Sequence, residues 1–92
     1  MTWTRKEIEA AFESMDESVL LMDGFDEAFI GYSQRGNEPC LAVYSWSLMV
    51  NHLVERDGMV AEEAAEYVDY NCVRAWVGDR TPIIVMPIMD GQ

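Results

Sequence analysis

The sequence predicts an α+β domain: a small three-stranded sheet, made of an antiparallel hairpin plus a C-terminal strand, packed by a helix pair, with an extra N-terminal helix. Three observations carry this. Two stretches with apolar residues at helical spacing meet at Gly58. Two short runs enriched in β-branched and aromatic residues flank a loop of Gly, Asn and Pro. A continuously apolar run, Ile83 to Ile88, follows the second helical stretch. With 92 residues the chain reads as one domain, 1–92. A domain of this size buries about 60–65% of the surface that its unfolded chain exposes, so the core is small.

In chain order, Thr4 and Glu7 stand at the spacing of a capping box, which starts an N-terminal helix over residues 4–16. Ile8, Ala11, Phe12 and Met15 share its apolar side, with Glu9, Glu13 and Asp16 outside. Val19 to Met22 extends that helix or forms a short extended run, and Asp23-Gly24 marks a turn. The hairpin spans residues 25–44. Its strands lie in FDEAFIGYSQ and CLAVY, and Arg35-Gly36-Asn37-Glu38-Pro39 joins them.

The helix pair spans residues 45–78. Ser45 suits an N-cap, and Trp46, Val50, Leu53 and Val54 form one stripe, widened by Leu48, Met49 and His52. Gly58 suits the left-handed residue that often follows a helix. In the second helix Val60, Ala64, Tyr67, Val68, Asn71, Cys72 and Ala75 share a face, opposite Glu62, Glu63, Glu66 and Asp69. Carboxylates in a first helical turn are favoured by the helix dipole without any ligand. Trp76 closes the second helix before Gly78. The third strand covers residues 82–88, with Pro87 placing it at an edge, and Met89-Asp90-Gly91-Gln92 reads as a loose tail.

The formal net charge is −11, from seventeen acidic and six basic residues. Residues 1–27 hold eight acids against two bases and residues 60–92 six against two, so the negative field is weighted toward the N-terminal segment and the second helix of the pair. Direct binding to nucleic-acid phosphates needs a basic footprint and is not expected. A basic protein partner would be drawn by the field, less strongly at high salt. Surplus carboxylates also keep a chain with three Trp and seven Met in solution, which is the plainer account of the same charge.

Catalytic signals are absent from the sequence. His52 is the single histidine, at the margin of an apolar stripe, and no base–nucleophile pair is in view. Cys40 and Cys72 lack metal or redox spacing, and with no signal peptide in sight they read as reduced thiols of a cytoplasmic protein. Asp23, Asp26 and Glu27 around Gly24 do not follow the calcium-loop pattern, so neither metal nor cofactor is expected. No apolar run approaches the ~18 residues of a membrane span.

Asp23-Gly24-Phe25-Asp26, Ile30-Gly31, Val43-Tyr44, Glu55-Arg56-Asp57-Gly58-Met59, Glu62-Glu63-Ala64, Asn71, Ala75-Trp76-Val77-Gly78 and Thr81-Pro82-Ile83 together resemble a family of small acidic proteins encoded by tailed bacteriophages and prophages. The likeness covers about residues 20–85, and it is most specific in the ERDGM and AWVG segments. It implies a phage origin and a host-cell cytoplasm, and it carries over no catalytic or binding residue. The expectation is a non-enzymatic accessory protein that binds and modulates a basic host or anti-phage-defence protein, as a nucleic-acid mimic or inhibitor. Glu62, Glu63, Glu66, Asp69 and Trp76 are the candidate contact residues. An alternative is a homo-oligomeric sponge for a signalling nucleotide, with Trp76 stacking the base and Arg56, Arg74 or Arg80 holding phosphate. A further alternative is a virion assembly component.

Overall fold

Thr4 starts the first helix through the reciprocal cap that its spacing from Glu7 predicts. The Thr4 hydroxyl accepts from the Glu7 amide at 3.2 Å, and the Glu7 carboxylate accepts from the Thr4 amide at 3.0 Å. The structure, a computed structural model, describes residues 3–88, so the expected tail at Met89-Asp90-Gly91-Gln92 lies outside the described residues. Helix α1 runs Arg5–Ser14 and buries Ile8 and Phe12. Asp16, in a left-handed conformation at φ 57°, turns the chain away. Val19 to Met22 is neither helix nor strand; it is a strap, whose Met22 amide donates to the Tyr44 hydroxyl at 3.0 Å.

Strands β1 (Phe29–Ser33) and β2 (Leu41–Ser45) pair antiparallel as the hairpin reading requires. The first strand begins later than residue 25, because Asp26–Ala28 closes a 3₁₀ turn in which the Ala28 amide donates to the Phe25 carbonyl at 2.9 Å. A register shift between Phe29 and Gly31 bends β1. β2 runs directly into helix α2 (Trp46–Asp57), where the Ser45 hydroxyl accepts from the Leu48 amide at 3.2 Å. Gly58 ends α2 at φ 69°, the left-handed residue foreseen from its position.

Helix α3 (Ala61–Val68) is shorter than the sequence suggests. From Asp69 to Val73 the chain widens into a π-helical turn, which places an extra residue in the turn and rotates everything after it out of the stripe. Cys72 stays buried, while Ala75 is exposed and Trp76 stands beyond the helix, 73% exposed. Strand β3 is Ile83–Val85, three residues of the expected 82–88, and it pairs parallel to β2.

The result is a mixed sheet in the order β1-β2-β3, with β2 central and three α-helices among the described residues. The core lies on one face of this sheet, where Ala42 and Tyr44 of β2 meet Ile8, Met49, Leu53, Ala64 and Val68. Phe29 knits it together, meeting Trp3, Phe12 and Tyr44 edge-to-face at 5.7, 6.1 and 5.7 Å between ring centroids.

Candidate functional site

The acidic residues singled out on α3 divide into two groups. Glu62 and Glu63 lie in the first turn of the helix, where its dipole favours a carboxylate, and Glu66 follows one turn on; all three are exposed. Among the described residues no ion pair uses any of them. Asp69 belongs to the fold instead. Its Oδ1 accepts from the Trp46 indole Nε1 at 2.8 Å, which ties the π-helical turn to the start of α2 and removes Asp69 from the contact set.

Tyrosines complete this face. Tyr67 was expected on the buried stripe, yet it is 44% exposed, and the buried residues of α3 are Ala64 and Val68. Tyr70 is 65% exposed. Glu63, Glu66, Tyr67 and Tyr70 line one shallow groove of about 320 Å³ with Met59 and Asn71. The spacing of 63, 66, 67 and 70 is the helical-face signal that could have found Tyr70. Arg74 lies over the Tyr70 ring, its guanidinium carbon 5.0 Å from the centroid, so this ring is already seen accepting a cation on its face.

Trp76 is elsewhere. It lines a groove of about 330 Å³ with Leu41, Val73 and Ile83, beside β3 and away from the α3 carboxylates.

The three arginines proposed to hold a phosphate do not converge. Arg56 donates to both oxygens of Asp57, at 2.8 and 3.0 Å, and to the Gly24 carbonyl at 3.0 Å; that pairing holds the Asp57 carboxyl below the usual carboxylate range. Arg80 donates to the carbonyls of Ser18 and Cys40 and lies 3.8 Å from Glu17, pinning the strap and the hairpin loop to the turn before β3. Arg74 is on Tyr70. Each of the three is thus engaged at a different place in the fold.

The carboxylates around Gly24 are likewise taken up internally. Arg5 meets Asp23 at 2.6 Å and Asp26 at 3.4 Å, and Glu27 lies 3.5 Å from His52 Nδ1. Among the described residues no group of three or more His, Cys, Asp or Glu side chains is arranged to hold a metal ion. His52 sits between Glu27, Arg56 and the edge of Phe25, a packed position on α2. Both cysteines are buried, and burial pushes both thiols up, with the Glu17 charge adding to the effect at Cys40.

Among the described residues no helix is long and apolar enough to cross a membrane. No protein-family model, curated protein or solved structure matches the chain.

Proposed function

We propose that the chain is a non-catalytic binding module, a bacteriophage accessory protein of the host cytoplasm that grips a basic surface of a host or defence protein with the acidic, tyrosine-bearing face of α3. One observation carries the reading. Glu63 and Glu66, exposed and in no ion pair among the described residues, stand beside Tyr67 and Tyr70 on a single groove. Carboxylates steer and select a basic partner, and exposed tyrosines supply contact area with few rotatable bonds. The intramolecular contact of Arg74 with the Tyr70 ring supports the reading, since it is a cation on an aromatic face of the kind that a partner's arginine would make.

A pull-down of the tagged chain from host lysate at low and high salt tests this. The expected result is a stoichiometric basic partner captured at low salt and lost at high salt, and lost also by the triple variant E62K/E63K/E66K. Arg74→Ala, which uncovers Tyr70, should tighten capture. A partner that the triple variant holds as well as the parent does would sink the reading.

A further inference from the structure

We propose that the outer face of the sheet is a homodimer interface, on which a second copy of this chain packs sheet to sheet. In β2, Ala42 and Tyr44 are fully buried toward the core, so alternation places Leu41 and Val43 on the opposite face. The parallel register Val43↔Ile83 and Ser45↔Val85 puts Ile83 and Val85 on that same outer face, 38% and 46% exposed. Val73 and Trp76 border it through the groove they share with Leu41 and Ile83. A Cβ built on Gly31, which pairs with Val43, would meet nothing within 4 Å, so none of the described residues covers this side there.

The sequence pattern of the strands is that of a covered sheet. A strand with one face in water alternates apolar with polar residues, whereas Leu41-Ala42-Val43-Tyr44 and Ile83-Ile84-Val85 are apolar on both faces. Charge and area choose the occupant. None of the thirteen strand residues is charged, in a chain of net charge −11, so nothing here selects the basic partner that suits α3. A second copy brings equally uncharged strands, while Asp79, which lines the same groove as Trp76, adds to the like-charge repulsion that salt screens. Leu41, Val43, Val73, Trp76, Ile83 and Val85 uncover on the order of 500 Å² before the exposed Met86 and Ile88 are counted, near the ~600 Å² per partner at which standard interfaces begin. Two such sheets pack about 10 Å apart about a two-fold axis, burying both Trp76 rings.

Sedimentation of the full chain from ~1 to ~100 µM, a range that brackets a micromolar dimer, tests the proposal at low and high salt. A species of twice 10.5 kDa is expected. High salt should preserve or tighten it, because screening relieves the repulsion between two acidic protomers. Val85→Glu and Val85→Lys should each raise the dimer dissociation constant roughly a hundredfold or more, since either would bury an unpaired charge, while the far-UV spectrum stays unchanged. A monomer throughout the range overturns the proposal, as does a dimer that salt dissolves or that both variants leave intact. Solvent protection of Trp76 that arises only when the α3 partner is bound would assign the face to that partner instead.

Discussion

The region around Tyr44 and the segment from Asp69 to Ile88 use the same kinds of residue in opposite ways. Tyr44 is fully buried among rings, and its hydroxyl accepts from the Met22 amide. Trp76, a larger side chain, stands 73% exposed, and Tyr70, Val77 and Ile88 are exposed with it. The first region holds the fold together, and its apolar residues are saturated by one another. In the second the supply of apolar side chains exceeds what the core accepts, and the excess is spread over separate grooves, Tyr70 beside α3 and Trp76 beside β3. Bulk apolar content therefore measures two quantities in this chain, the interior and the surface offered to other molecules.

That contrast can be broken by truncation. Leu53→Ala, in the centre of the core, should cost about 2–5 kcal/mol in urea denaturation. Trp76→Ala, measured at concentrations where the chain is monomeric, should change stability by no more than about 0.5 kcal/mol. Comparable losses at the two sites would erase the distinction. Tyr44→Phe keeps the packing and removes the acceptor of the Met22 amide, for an expected loss of about 1–2 kcal/mol. Ser45→Ala should cost about 1 kcal/mol by removing the α2 cap.

The smallest effect sharpens the comparison through pH. Folding raises the Cys40 and Cys72 thiols above their ordinary value of 9.0, chiefly by burial. The unfolded chain therefore ionises first. Stability from the two neutral thiols is fully present below pH 9.0, and is lost as pH rises from there toward the folded values. At Cys40 the Glu17 charge adds to burial, while the Arg80 charge opposes it. A urea midpoint that is constant from pH 7 to above the ordinary thiol value would contradict burial of both groups.

Helix starts and stops were legible in the sequence where a cap is a local contract between neighbours, as at Thr4 with Glu7, Ser45 with Leu48, and Gly58. The hairpin was legible for the same reason, since a short loop leaves two adjacent strands little choice of partner. Three features were not. The π-helical turn at Asp69–Val73 changes the phase of the helix without a proline or glycine to announce it, so Ala75 was read on a stripe that had ended and Trp76 as closing a helix that stops before it. The bond from Trp46 to Asp69 joins residues on different helices, and no periodicity encodes it. The direction of β3 depends on the path of the whole helix pair, which three apolar residues cannot specify. In the candidate site the carboxylates were visible as charge, whereas Tyr67 was hidden because an aromatic on an apolar helical stripe reads as core, and Tyr70 was left unassigned although its spacing from Glu63, Glu66 and Tyr67 marks the same face.

The parallel pairing of β2 with β3 has a consequence during synthesis. All of α2 and α3 must emerge before Ile83 to Val85 can dock, and at ribosomal speeds of about 5–20 residues per second the delay is roughly 2–8 s. Until then one edge of β2 carries unpaired amides and carbonyls, with no charged side chain on the strand to deter a neighbouring nascent chain. The conformational entropy of closing residues 46–82 into a loop is repaid only after both helices have formed. β3 is thus the last strand to join and, with three paired residues, the first to let go, so its amides should exchange with solvent well before those shared by β1 and β2.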